Sequence, residues 1–349
     1  MGNYTRYQTA RFTPRPETAV YHTLHLFAEL TFSGGAVICS LVVMYMAIFR
    51  TNNKAVKVYA LMLIMNATVD LTYSVVNLVA MPIFFIYNGL FIVATGNPFL
   101  RDKQYAALVV SSLQGFLTYL SVVILPIQYI YRYSVVRNRP LTTYQLIIIL
   151  LIAMLYPFVH GVLCYLTFNP PTPEYDAILE LDPVVASLGY LPPYYVGDIK
   201  SSFLMTFHMA NCMIITVISY AVITVVFLKT KKEFIKMESK MSHQTKKVQR
   251  QMERVIFIQA LFPILVLFIP GTYLPVAAFF QFNSTLSGEF LALIHTTPLF
   301  NSICVMLCVP SYRRLVTRAF ARRTGPSSLL STDGKPTSIH SETWRNSDN

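Results

Sequence analysis

Three polar side chains fall near the middle of long apolar runs. Asp70 lies about 12 residues, or ~18 Å of helix, from either end of its run. Ser121 and Asn301 lie at a similar depth in two other runs. Because a charge at the bilayer midplane costs several kcal/mol unless it finds partners, we expect these three to share an intramembrane polar network. The alternative is a protonated Asp70, hydrogen-bonded within a bundle and holding no ion.

Gln114 and His208 are polar candidates for a ligand pocket. At about 1.5 Å per residue, Gln114 lies ~14 Å and His208 ~11 Å below the end of its run that is predicted to face outward. Asp70 then lies near the floor of the same pocket. Small-molecule sites are mostly apolar with few polar groups, so these three are the predicted ligand contacts. For His208, as for His160 and His295, the alternative is a hydrogen-bonded core position.

Arg132 stands where the third apolar run ends, between Tyr131 and Tyr133. One interpretation is an anchor whose long side chain reaches the membrane interface beside two interfacial aromatic rings. The other is a conformational switch at the cytoplasmic mouth of a bundle. The position at the end of the third run favours the switch.

Signatures of enzymes and of metal sites are lacking in the sequence. There is no phosphate-binding glycine loop, no His-Glu-x-x-His and no nucleophile elbow, so we expect no catalysis and no cofactor. The five cysteines all fall inside or at the ends of apolar runs, which predicts packing roles and no structural disulfide. No clustered set of zinc ligands stands out along the chain, so no metal site is predicted.

Seven apolar runs must position these residues. A hydrocarbon core about 30 Å thick needs about 20 helical residues, and each run reaches that length. The chain is 54% hydrophobic and 13% charged, with mean hydropathy +0.50, unlike a soluble domain. We therefore predict an all-α bundle of seven transmembrane helices over 24–310. The runs are Leu24–Phe49, Val58–Met81, Tyr105–Tyr131, Tyr144–Phe168, Ser201–Leu228, Val255–Phe282 and Glu289–Pro310.

Basic residues predict the orientation. With the N-terminus outside, cytoplasmic segments hold 22 Lys and Arg and outer segments hold 6. The positive-inside rule therefore favours an outer N-terminus and a cytoplasmic C-terminus. The net charge of +12 is mostly this basic inner collar, which faces anionic lipid and acidic partner surfaces rather than nucleic acid. Segment 1–23 shows no cleavable signal peptide, and Asn3 begins a glycosylation sequon on the predicted outer side.

The segments between and after the runs carry further predictions. The basic loop 229–254 has apolar residues at helical spacing, which predicts helical extensions that dock a partner; a merely solvated charged loop is the alternative. Residues 311–323 fit an amphipathic helix on the inner leaflet, and 324–349 fit a disordered Ser/Thr-rich tail open to phosphorylation. The acidic segment 169–200 is long enough to fold over the outer mouth of the bundle.

With these residues in view, the chain resembles the nematode serpentine chemoreceptors, the superfamily of the str, srd, srh, sri and srj classes. The pieces that carry the resemblance are Tyr131-Arg132-Tyr133, Met241-Ser242 with Thr245-Lys246 and Gln249-Arg250-Gln251, Gln259 to Pro263, and Pro310 to Arg314. They span about 20–320. The resemblance implies a G-protein-coupled receptor that binds a small environmental molecule and activates a heterotrimeric G protein.

The resemblance also implies residue roles. Arg132 matches the switch arginine of the third helix, and Tyr133, Lys246 and Arg250 fall with it on the G-protein side. Asp70, Asn301 and Ser121 look like the sodium-site residues of rhodopsin-like receptors. The sequence departs from that pattern, since no acidic residue precedes Arg132 and Ser302 rather than proline follows Asn301.

Partners and location follow from the same likeness. It implies a multi-pass protein of the plasma membrane, in the sensory cilium of chemosensory neurons. Arrestin and a receptor kinase would act at the tail. Two other functions stay open: a ligand-gated cation channel of the insect odorant-receptor type, which would place the N-terminus inside, and a seven-helix transporter, which should show internal repeats or several midplane charges.

Overall fold

The computed structural model describes most of the bundle. The described residues are 19–51, 54–137, 139–237, 243, 246, 250, 257–258, 261–262, 264–281, 293–309 and 312–317. The sequon at Asn3 and the tail 324–349 lie outside them. The predictions made for those two segments therefore stay predictions.

Within the described residues, seven helices form the bundle, as the apolar runs predict. They are α1 (Ala19–Glu29 and Gly35–Phe49, joined by a π-helical turn at Leu30–Gly34), α2 (Lys54–Ala80), α3 (Gln104–Val136), α4 (Thr143–Thr167), α5 (Phe203–Met237), α6 (Ile269–Phe279, preceded by a π-helical turn at Ile264–Phe268) and α7 (Thr296–Cys308). The third helix continues past Tyr131 to Val136, and the fifth continues to Met237. Arg132 therefore lies inside a helix rather than at its last residue.

The length and apolar character of the helices fit a bilayer. Five of them, within the described residues, are long and apolar enough to cross one: Thr23–Phe49, Tyr59–Ala80, Gln104–Val136, Thr143–Thr167 and Phe203–Lys236. Ile264–Phe279 and Thr296–Leu307 are shorter apolar helices. Large apolar side chains such as Leu151, Ile152 and Leu155 are exposed on the outside of the bundle. In lipid such exposure has no hydrophobic cost, because acyl chains are as apolar as leucine.

A three-stranded antiparallel sheet covers one end of the bundle. Strands β1 (Pro82–Tyr87) and β2 (Leu90–Thr95) form a hairpin, and β3 (Tyr194–Asp198) pairs with β2. Asn88 and Gly89 make the turn with positive φ angles of 48° and 84°. Asn-Gly between two apolar runs is a strong hairpin signal, because both residues tolerate that backbone. The sequence prediction of plain connections here is therefore wrong, because these segments form a sheet.

Two short helices pack against this sheet. Pro173–Leu179 and Pro183–Ser187 bury Leu179 and Val185 against the strands. The Tyr194 hydroxyl donates a hydrogen bond to Asp176. Burial raises the pKa of the Asp176 carboxyl above its usual range, and this hydrogen bond works against that shift. The acidic segment therefore forms part of a folded cover. We call this end of the bundle the sheet end.

At the opposite end of the bundle, side-chain hydrogen bonds join segments that lie apart in the sequence. The Tyr312 and Thr51 hydroxyls lie 2.7 Å apart, which connects the helical residues 312–317 to the end of α1. The Ser134 hydroxyl accepts from the Leu141 N–H at 3.2 Å and so folds the connection between α3 and α4 back on α3. Lys246 and Arg250 are both helical, and Arg250 is exposed.

Candidate functional site

A cavity lies beneath the sheet, between α3, α4, α5 and α6. Its empty volume, including its open mouth, is about 960 Å³. Four aromatic side chains, three from the strands and one that follows α4, contribute to its wall: Phe84, Phe91, Tyr195 and Phe168. The walls are mostly apolar, with a few polar groups from the helices, as is usual for sites that take small organic molecules.

The structure places two of the three predicted ligand contacts in the cavity wall. Gln114 on α3 and His208 on α5 both line it, and each is almost fully buried. Asp70 is not among the described residues that line the cavity. It lies deeper in the bundle, where amides surround it.

A buried hydrogen bond between Glu29 and His295 joins the first helix to the start of the last one beside the cavity. Glu29 Oε1 lies 2.6 Å from His295 Nδ1, and both side chains are only 2% exposed. His295 Nε2 faces Gln114 Nε2 at 3.3 Å. Since the glutamine amide can only donate, this His295 nitrogen accepts, and Nδ1 carries the proton toward Glu29. His295 was predicted as a possible core residue, and no role was predicted for Glu29.

Asn77 completes the polar cluster around this pair. Its amide nitrogen donates to Glu29 Oε2 at 2.5 Å and to Ser33 Oγ at 2.7 Å, and its Oδ1 accepts from Gln114 at 2.9 Å. Both amide hydrogens and the carbonyl are thus used. The glutamate could have been found as an acidic residue inside an apolar run, because burying such a charge requires donors from other helices.

The predicted midplane network is present in part. Asp70 accepts from Asn66 at 2.9 Å and from Asn301 at 3.4 Å, and Gln128 donates to Asn66 at 2.6 Å. This layer joins α2, α3 and α7. Ser121 instead donates to the Leu117 carbonyl of its own helix at 3.0 Å. Its expected share in the network is therefore not seen, because a serine inside a helix can bond the carbonyl one turn back.

Four side chains of the types that bind metal ions meet in the cavity wall, and His208 is one of them. His160 and Cys164 on α4 approach His208 and Cys212 on α5, with closest atom pairs between 3.0 and 3.6 Å. The sequence predicts no clustered metal ligands. The packing of α4 against α5 corrects this, because it unites pairs that lie far apart in the sequence.

Arg132 lies at the other end of α3 from the cavity. Its side chain is buried, with 4% exposed, which is unlike a side chain that extends into the membrane interface. Tyr131 packs edge-on against Tyr59, with ring centroids 6.4 Å apart. Tyr133 lies under the Arg137 guanidinium, 5.6 Å from its ring centroid.

Comparisons with known proteins agree with this architecture. A sequence model of the family described as serpentine type 7TM GPCR chemoreceptor Str matches residues 25–317. The Caenorhabditis elegans protein named G-protein coupled receptor str-33 is 22% identical over 316 residues, covering 85% of this chain and 90% of that protein. The crystal structure of squid rhodopsin superposes with a TM-score of 0.63 at 12% identity, covering 90% of this chain and 91% of the rhodopsin chain.

The Glu29 cluster yields a stability prediction. Replacing Glu29 with alanine leaves three buried donors, on His295, Asn77 and Ser33, without their acceptor. Each unsatisfied buried donor costs about 1–3 kcal/mol, so we expect a loss of at least ~3 kcal/mol. Thermal unfolding of the purified protein in detergent measures the loss. Glu233→Ala is the matched control, because Glu233 pairs with exposed Lys236 on the surface of α5. That change should cost only ~0–1 kcal/mol.

The double variant Glu29→Ala, His295→Ala separates pairing from general damage. If the two side chains act as a pair, the double variant should be clearly less destabilised than the sum of the single variants. Additive losses would contradict the assignment.

Proposed function

The chain belongs to the serpentine type 7TM GPCR chemoreceptor Str family, and from that premise we propose that it binds a small environmental molecule in the cavity and activates a heterotrimeric G protein. One observation carries the proposal: α3 has the cavity at one end and buried Arg132 at the other. Val122 is the last residue of α3 in the cavity wall, and at about 1.5 Å per residue it lies ~15 Å from Arg132.

The cavity favours a small, largely apolar ligand that carries a hydrogen-bonding group. Aromatic side chains from the sheet and α4 supply apolar surface, and Gln114 and Thr118 supply polar atoms. Gln114 belongs both to the cavity wall and to the Glu29 cluster. A ligand that competes for the Gln114 amide would therefore alter the bonds that hold α1, α2 and α7 to α3.

Transmission would follow a population shift. Ligand favours an arrangement in which α5 and α6 move away from Arg132 and open a site for the G protein. Arg132, Tyr133, Lys246 and Arg250 form the proposed coupling surface. The π-helical turn at Ile264–Phe268 and the prolines of α6 support this, because such irregularities let a helix bend at a defined place.

We propose that the protein lies in the plasma membrane. The sheet end and the N-terminus then face the outside of the cell. The excess of Lys and Arg in the connections at the opposite end supports this orientation. The sensory cilium is the proposed location, by likeness to chemosensory receptors. On the inner side, anionic lipid would meet the basic collar, and arrestin and a receptor kinase would act on the tail.

Orientation is tested with epitope tags at residues 2 and 349. In intact cells we expect an antibody to stain the N-terminal tag without permeabilisation and the C-terminal tag only after it. Surface staining of the C-terminal tag would overturn the receptor proposal and would favour the cation channel instead.

Coupling is tested with Arg132→Ala in cells that report a second messenger during exposure to an odorant panel. We expect the variant to reach the surface at about the wild-type level and to lose at least ~10-fold in maximal response, because buried switch residues act on the active conformation rather than on ligand binding. Arg101→Ala is the control, since Arg101 is exposed and stacks on Tyr190 at the sheet end. Full signalling by Arg132→Ala would refute the switch. A ligand-evoked current that persists without G proteins would refute the receptor mechanism.

The pocket is tested with Gln114→Ala and an active compound from the same panel. Loss of one hydrogen bond of about 1 kcal/mol should move the half-maximal concentration by ~5-fold or more. Gln145→Ala is the control, because Gln145 caps α4 at the opposite end of the bundle. An unaltered dose–response curve for Gln114→Ala would remove this residue from the ligand site.

A further inference from the structure

Two neighbouring helices carry the same pair of ligand-type residues at the same spacing. His160 and Cys164 lie on α4, and His208 and Cys212 lie on α5. Residues four apart on a helix share one face, so each helix presents a histidine and a cysteine together. The two faces point at each other in the cavity wall.

The ligand atoms are close enough to hold one ion. His208 Nε2 lies 3.0 Å from His160 Nδ1 and 3.5 Å from Cys164 Sγ, and Cys212 Sγ lies 3.6 Å from His160 Nδ1. Candidate ligand atoms of His160, Cys164 and His208 all lie within 4.8 Å of one another. A tetrahedral zinc with Zn–N of about 2.0 Å and Zn–S of about 2.3 Å has ligand atoms ~3.3–3.8 Å apart. The group of three needs only small shifts to receive the ion. Cys212 reaches the cluster through His160 Nδ1, whereas Cys164 faces His160 Nε2 at 3.6 Å, so the His160 ring and the Cys212 side chain must move further for all four to bind one ion.

Thr167 fixes which nitrogen of His208 faces the cluster. The Thr167 hydroxyl donates its single hydrogen to the Leu163 carbonyl at 2.7 Å. It must then accept from His208 Nδ1, which lies 3.0 Å away. The other nitrogen, Nε2, consequently presents its lone pair to His160 and Cys164. Metal-binding histidines are usually held in this way by a hydrogen bond to the nitrogen that does not bind the ion.

We propose that His160, Cys164, His208 and Cys212 bind one Zn²⁺ ion in the wall of the cavity. Binding replaces the two thiol protons, which pass to solvent, so that two thiolates and two neutral imidazoles surround the ion. That set has no net charge, which suits a buried site inside a membrane, where an uncompensated charge is costly. An ion enters from the cavity, since all four residues line it.

The consequence is a clamp between α4 and α5 at the sheet end. A zinc ion with four protein ligands is a closed, structural site. Occupancy would hold the two helices together and would fix the shape of the cavity wall that the ligand meets. This inference goes beyond chemosensory signalling and does not depend on it.

Metal content and spectroscopy test the site on the purified full-length protein in detergent. We expect the wild type to retain one zinc per chain after dialysis. Cobalt in its place should give the strong visible absorption of a tetrahedral site and a thiolate-to-metal charge-transfer band. Cys164→Ser and Cys212→Ser should lose both signals, while Cys39→Ser, with its cysteine on α1, should keep them. A wild type that retains no zinc, or retains copper but not zinc, would overturn the proposal.

A second measurement needs no variant and so is independent of whether variants fold. Zinc should slow alkylation of Cys164 and Cys212 by a small thiol reagent, as read by mass spectrometry, and should leave the rate at Cys39 unchanged. Equal alkylation of Cys164 and Cys212 with and without zinc would contradict the site.

Thr167 offers a test of the positioning argument. Thr167→Val keeps the shape of the side chain but removes the hydroxyl that orients His208, so zinc affinity should fall by ~10–100-fold while one ion is still bound at saturation. Thr224→Val is the matched control, because the Thr224 hydroxyl also bonds a carbonyl one turn back on α5. If both variants bind zinc as tightly as the wild type, the role of Thr167 is wrong.

Discussion

The fold depends on accommodating one carboxylate, Glu29, inside the apolar bundle. An isolated charge there would be prohibitively costly, and the structure supplies His295, Asn77 and Ser33 as partners from α7, α2 and the π-helical turn of α1. The turn at Leu30–Gly34 directly follows Glu29. Because each partner comes from a different place in the chain, α1, α2 and α7 must assemble together for the charge to be satisfied. The position of Glu29 thus constrains which helices can pack together.

Gln114 extends this constraint to the cavity. It donates to Asn77 and contacts His295 while its side chain also lines the cavity wall. Below it, Asp70 and its amide partners join α2, α3 and α7 a second time. Two polar layers, one around Glu29 and one around Asp70, thus hold α3 against α1, α2 and α7. A ligand bound at Gln114, as proposed, would act directly on the layer around Glu29.

Sequence reasoning reached the bundle because the length and apolarity of a run are local properties. Of the three predicted ligand contacts, Gln114 and His208 line the cavity, whereas Asp70 does not. The sheet was missed although Asn88-Gly89 signals a hairpin, because its third strand comes from a connection about 100 residues later, and strand pairing at that distance leaves no periodic mark. Glu29 lies near one end of its apolar run rather than at the midplane, so it stands out less in the sequence. The histidine–cysteine cluster does not stand out because each half of it lies on a separate helix. Pairings between helices are the part that a single sequence conceals.

Aromatic contacts join α6 and the residues before it to their neighbours, whereas hydrogen bonds hold the two polar layers together. This difference affects which helix can move at a low cost in free energy. Tyr220 and Phe268 meet edge-on at 5.4 Å, and Phe262 stacks on Phe300 at 3.7 Å. Aromatic contacts of this sort are worth about 1 kcal/mol each beyond the area that they bury and can slide without exposing a buried charge or an unpaired donor. Moving α1, α2 or α7 would break the Glu29 or Asp70 bonds. Within the described residues, the π-helical turn at Ile264–Phe268 gives α6 a place to bend, which supports the proposal that α6 moves in signalling.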